Sequence, residues 1–192
     1  MRMLAVILVL CLVGGSAAGI VDPTPDLLGL YFEETADTYC LEWLTPYTPF
    51  DMYAVYTNPT VPEIVGFEFG METPAELMLL QVSVACNPFW DPVEDYPYVV
   101  ACGSPLTVSE ATVLVHFRFI ILSTNTEPIH FFMHAADLPS IPGEYPLVGL
   151  PDGSLLPLQV RGAPDQPTAL IFDDCTVDTE PTSWDSLKAI YR

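Results

Sequence analysis

The chain has 192 residues, with 25 acidic side chains against 5 basic ones and a formal net charge of −20 at pH 7. That imbalance excludes nucleic acid and anionic membrane surfaces as partners, since both would repel the chain. It fits a well-solvated acidic surface.

The chain opens on MRMLAVILVLCLVGGSAAG, with a basic Arg2, an apolar run from Met3 to Val13 and small residues at Ser16 and Ala18. This is the pattern of a secretory signal peptide over residues 1–18, cleaved after Ala18. The expected location is therefore secreted or periplasmic. The apolar run is too short to span a bilayer and no later stretch is long enough, so no membrane insertion is expected once the signal is removed. Removing Arg2 leaves four basic residues against 25 acidic ones, a charge of −21. About 174 residues remain, enough for one domain with a sizeable core.

Short apolar runs then follow one another, punctuated by 20 prolines and 11 glycines. The fold class this predicts is all-β, a two-sheet antiparallel β-sandwich of jelly-roll-like form over residues 19–175. Strands are expected at 27–32, 50–58, 63–71, 77–86, 96–102, 111–123, 128–135, 155–160 and 168–172. In 111–123 the period of two places Val113, Val115, Phe117, Phe119 and Ile121 on one face and His116 and Arg118 on the other. In 128–135 it places Ile129, Phe131 and Met133 inward and His130 and His134 outward. The intervening STNTE reads as a hairpin connection between these two strands. Pro151-Asp152-Gly153 is a second turn signal, expected to join PLVGL to LLPLQV.

Without the signal, four cysteines remain, an even count that reads as two disulfides in an exported chain. Cys86 and Cys102 end two strand-like runs around a Pro-rich loop, so their pairing is the simplest of three. It leaves Cys40 with Cys175. After Cys175, residues 176–192 read as a polar connector and a short C-terminal amphipathic helix. Thr182 or Ser183 offers an N-cap, Trp184, Leu187, Ile190 and Tyr191 recur at helical spacing, and Lys188 and Arg192 sit where the macrodipole favours cations. This tail is either docked on the sandwich or read as a recognition or export tag.

Two stretches carry a resemblance. TNPTVPEIVGFEFGMETPAELMLL followed by ATVLVHFRFIIL is similar to cohesin-like modules. GLYFEETADTYC, SIPGEYPLVGLPDGSLLPLQV and the closing SWDSLKAIYR resemble a group of small secreted bacterial proteins with a GxYFDE-type opening and a TWGxIKxLYR-type end. Asp185 stands where that closing pattern has glycine. The resemblance implies the sandwich and export and assigns no chemistry. Cohesins bind dockerin partners through one sheet face, but no contact residue carries over.

Three constellations are candidate sites. With the STNTE turn centred on Asn125, His116 would face His134 across the hairpin, a two-imidazole start on a zinc or copper site that has no third ligand. The loop NPFWDPVEDYPY combines Phe89, Trp90, Tyr96 and Tyr98 with Asp91, Glu94 and Asp95. That mixture suits stacking on sugar rings or a protein interface anchored by aromatics, against the plainer reading of aromatics folded back on the sandwich. Acid clusters at Glu33, Glu34 and Asp37 and at Asp173 and Asp174 lack the spacing of a dedicated calcium loop. No cofactor is expected, with calcium the weak exception. There is no GxSxG, HExxH or phosphate-binding glycine loop, so no catalysis is expected. The function expected is a non-catalytic binding or surface-structural module for a protein or glycan partner at the cell surface, or alternatively a carbohydrate-active protein using the 87–98 loop.

Overall fold

The computed structural model describes residues 22–87, 98–124, 126–137, 139–143, 145–162 and 166–175. The signal segment, most of the 87–98 loop and the tail with Trp184, Leu187, Lys188, Ile190, Tyr191 and Arg192 lie outside the described residues, and so does the expected C-terminal helix.

Twelve strands are present among the described residues, and no helix. They are β1 (Leu27–Tyr31), β2 (Cys40–Leu41), β3 (Pro49–Thr57), β4 (Glu63–Glu72), β5 (Leu77–Val84), β6 (Tyr98–Thr107), β7 (Ala111–Ile121), β8 (Ile129–His134), β9 (Leu147–Gly149), β10 (Leu155–Pro157), β11 (Gln159–Val160) and β12 (Ala169–Ile171). A five-stranded sheet has the order β11-β1-β3-β7-β5. The second sheet has seven strands, β10-β9-β4-β8-β12-β2, with β6 also paired to β4.

The expectation of purely antiparallel sheets is corrected. β1 pairs β11 in parallel and β12 pairs β2 in parallel, so both sheets are mixed. The cause is chain return. Late strands come back to the edges of early ones after long excursions, and such a strand is free of the reversal a tight hairpin imposes.

The expected hairpin through STNTE is also corrected. β7 pairs β3 and β5, whereas β8 pairs β4 and β12, so this connection crosses from one sheet to the other. The run LLPLQV is likewise divided. β10 pairs β9 in the seven-stranded sheet and β11 joins β1 in the five-stranded one, with Leu158 buried at the crossing. The turn at Pro151-Asp152-Gly153 does join β9 to β10, with Gly153 at φ 86° and its N–H donating to Leu150 O at 2.9 Å.

Period two places the core between the sheets. Phe67, Phe69 and Met71 of β4 face Phe117 and Phe119 of β7, with Phe50 and Phe131 completing the layer. Ring centroids lie 4.9 Å apart for Phe69 and Tyr98, 5.4 Å for Tyr98 and Phe117 and 5.8 Å for Phe117 and Phe119. Pairs at this spacing add about 0.5–1.5 kcal/mol each beyond their buried area.

One inward assignment changes. A bulge between Ala54 and Val55 shifts the register against β7, so Val113 turns to the outer face and packs with Tyr31, Val55, Tyr39 and Tyr53 in a second, smaller core. Leu114 takes its place inside. A bulge reverses the facing of every residue beyond it.

Both expected disulfides form, Cys40–Cys175 and Cys86–Cys102, at sequence separations of 135 and 16. Loop-closure entropy makes the long bridge worth about 5 kcal/mol and the short one about 3. Replacing Cys40 and Cys175 together by alanine should therefore cost about 2 kcal/mol more than replacing Cys86 and Cys102, read from urea denaturation.

The Asp26 carboxylate ties β1 to β3. It accepts hydrogen bonds from Tyr56 Oη (2.6 Å), Thr60 Oγ1 (2.6 Å) and Thr60 N (2.8 Å). Burial pushes its pKa upward, but the Thr60 hydroxyl, the Tyr56 phenol and the Thr60 amide outweigh it and hold the value below 3.8. A carboxyl depressed in the folded state stabilises above its unfolded pKa and loses that contribution as pH falls through the folded one. Asp26→Asn should cost about 1 kcal/mol at neutral pH. The gap from the parent should narrow as pH falls below 3.8, followed by chemical denaturation across the acid range.

Candidate functional site

Outward from the core, β4 presents Gly66, Glu68 and Gly70, because its alternate positions Phe67, Phe69 and Met71 are spent inside. Each of the three is used. A Cβ on Gly66 would lie 2.6 Å from Val100 O, so only glycine lets β6 pass this closely. Over it runs a trough of about 210 Å³ floored by Gly66, Ala101 and Gly149 and walled by Val65, Val99 and Leu155.

Glu68, 5% exposed, accepts from the Ser140 amide at 2.8 Å and the Ser140 hydroxyl at 2.5 Å. Two donors to a buried carboxylate satisfy it and draw the 139–143 connection onto the sheet. Across from Gly70 lies His134, its cross-strand partner. The imidazole occupies the space a Gly70 side chain would take, and Nδ1 lies 2.6 Å from Ala135 O. A carbonyl only accepts, so Nδ1 carries the proton of this hydrogen bond.

His134 also lines a second cleft, of about 630 Å³, with Met133, Tyr145, Leu158, Gln159 and Val160. A third, of about 270 Å³, lies beyond the β9–β10 turn against Val61, Glu63, Leu150 and Asp152. The three hollows thus surround one hairpin, β9–β10, whose Leu155 is 38% exposed while the nearby Tyr145 is 53% exposed.

No family model and no curated protein matches the chain. Among solved structures it is similar to a cohesin module from a family 33 glycoside hydrolase of Clostridium perfringens ATCC13124, at 14% sequence identity and a TM-score of 0.45. The match covers 69% of this chain and 90% of that one. No residue role passes from it to this chain.

The remaining expected site residues fall in different places. His116 and His134 do not meet, since β7 and β8 belong to different sheets. The two-histidine pair is therefore corrected. His116 instead donates from Nε2 to Asp51 Oδ1 at 2.8 Å, stacks on the Tyr53 ring at 4.7 Å and has Ser83 Oγ 3.5 Å from Nδ1. These residues are cross-strand neighbours on the outer face of β3, β7 and β5. The order acid, imidazole, hydroxyl is that of a hydrolytic triad, but such chemistry needs a shielded oxyanion site, and Ser83 stands on an open sheet face. We assign no reaction to it. What the set does is lock the imidazole across three strands.

Tyr98 is 2% exposed and belongs to the core, so it leaves the group of candidate ligand residues. Phe89, Trp90, Asp91, Glu94, Asp95 and Tyr96 lie outside the described residues. The base of their loop is pinned by Cys86–Cys102 and by Gly103 N donating to Asn87 O at 2.9 Å. Of the acid clusters, Asp173 holds His130 Nε2 at 3.2 Å and caps the Asp174 amide. Among the described residues no three His, Cys, Asp or Glu side chains gather as a metal site.

Sequence reading missed the glycine-and-acid face of β4. GFEFG carries the signal in its alternation of small or charged residues with aromatics, but the partners Gly149 and Ala101 come from remote strands and Ser140 from a remote connection.

Gly70→Ala should cost about 1–3 kcal/mol by forcing a methyl group into the His134 ring. Adding His134→Ala should recover part of that loss, a coupling measurable by a double-mutant cycle of urea denaturation.

Proposed function

We propose that this chain is an exported, non-catalytic binding module that holds a protein partner on the outward face of β4, β9 and β10. The observation supporting it most directly is the small-residue trough over Gly66, Ala101 and Gly149, bordered by the exposed Leu155. Partners bury apolar and aromatic anchors in such concavities, and a floor of glycine and alanine lets a partner's backbone approach closely. Export rests on the signal-like opening, and two disulfides suit an oxidising compartment. Among the described residues no helix is long and apolar enough to cross a membrane.

A second reading places a glycan on the aromatic loop 87–98, favoured by the double clamp at the base of that loop.

One experiment separates the two. The mature protein is immobilised and exposed to the envelope and extracellular fractions of its source and to a glycan array. Gly149→Arg fills the trough where a Cβ meets only ordinary contacts, and should lower protein capture at least about tenfold, the scale of an interface hot spot, with an unchanged melting temperature. Trp90→Ala should leave that capture intact. Loss of glycan binding in Trp90→Ala with no effect of Gly149→Arg on any partner would reverse the choice.

A further inference from the structure

Five of the seven exposed large hydrophobic side chains among the described residues are Trp43, Tyr47, Met78, Leu80 and Leu122, at 44–70% exposure. The backbones of Tyr47, Met78, Leu80 and Leu122 come to one end of the five-stranded sheet. Met78 is the cross-strand partner of Ile120, and Ile120 that of Pro49. Just beyond this row, Tyr47 N donates to Ile121 O at 3.1 Å and Leu122 N to Glu76 O at 2.9 Å. Leu80 follows at the β5 bulge, and Trp43 stands four residues before Tyr47 on the connection from β2 to β3. Exposed apolar side chains gathered this way at one sheet end of a strongly acidic body call for a cover.

The same end of the connection carries the anchor of the chain's remaining segment. Cys175 is bridged to Cys40, three residues before Trp43. Thr182 follows Cys175 by seven residues, a reach of about 23 Å when fully extended. The segment 182–192 brings Trp184, Leu187 and Ile190 together with Lys188 and Arg192, two of the four basic residues left after the signal. Glu42 and Glu76 adjoin the patch in sequence, so apolar content and charge both complement it.

We propose that the segment Thr182–Arg192 of this same chain covers the Trp43–Tyr47–Leu122–Met78 patch, held within reach by the Cys40–Cys175 bridge. The disulfide then acts as a tether that raises the local concentration of a weak ligand. This surface is separate from the β4–β9–β10 face, so the two proposals stand or fall independently.

The test places a photo-reactive benzoylphenylalanine at position 187 of the mature chain, irradiates it at two dilutions about tenfold apart, and maps the cross-links by mass spectrometry. The expected product is intramolecular, joins position 187 to peptides containing 43–52, 76–80 or 118–122, and keeps the same yield at both dilutions. At low ionic strength, Lys188→Glu with Arg192→Glu should reduce that yield several-fold. Cross-links only between copies would make a second molecule the occupant and overturn the proposal. Cross-links elsewhere on the chain, or none, would overturn it as well.

Discussion

Strand β4 is the element on which the remainder depends, because its two faces are used in full. Its inward positions give Phe67, Phe69 and Met71 to the core, and its outward positions give the Gly66 floor, the Glu68 clamp and the seat of His134. Its backbone pairs with β6, β8 and β9. A one-residue slip would put Glu68 into an aromatic core and expose two phenylalanines, so burial on one side enforces the register that builds the other. The candidate binding face is in this sense a by-product of core alternation, made specific by which residues fill the outward slots.

The acidity of the chain shapes the polar structure differently. Among the described residues, several carboxylates are held by hydroxyls, amides and imidazoles. Asp26 is held by Tyr56 and Thr60, Glu68 by Ser140, Asp51 by His116 and Asp173 by His130. Even Arg161 is held by neutral groups. Its guanidinium lies 3.2 Å over the Tyr39 ring and donates from Nη1 to Thr168 O. Cation–π contact favours that charge where it lies. Nearby, burial pushes the Tyr31 phenol up to about 12, countered by Arg161 and raised further by Asp22, with its ring folded over Gly29. In the opening motif Gly29 and Tyr31 therefore pack on the sheet's outer face while Leu30 joins the main core.

Much of the architecture could be read from local pattern. Strand positions followed from apolar runs between prolines and glycines. The β9–β10 turn followed from Pro-Asp-Gly, and the Cys86–Cys102 bridge from its short loop, with Cys40–Cys175 left as the remaining pair. Other features were beyond local reading. Val113 and Leu114 exchanged faces through a bulge that no periodicity announces. Tyr98 fell both in the expected strand 96–102 and among the loop aromatics, and its place beside Phe69 and Phe117 is set by pairing with β4.

What the sequence determined by itself was therefore chemical and short-range: an acidic, disulfide-bridged, all-β chain with an export-type opening, since composition, cysteine parity and period two act within a few residues. What only the tertiary structure decided was which strands became neighbours. That choice sent β7 and β8 to different sheets and parted His116 from His134. It split LLPLQV between two sheets and ran the returning edge strands parallel. It also gathered Gly66, Ala101, Gly149 and Ser140 around β4. The physical reason is that strand pairing is fixed by the burial of both sheets against each other, a long-range optimum to which each segment contributes only one face.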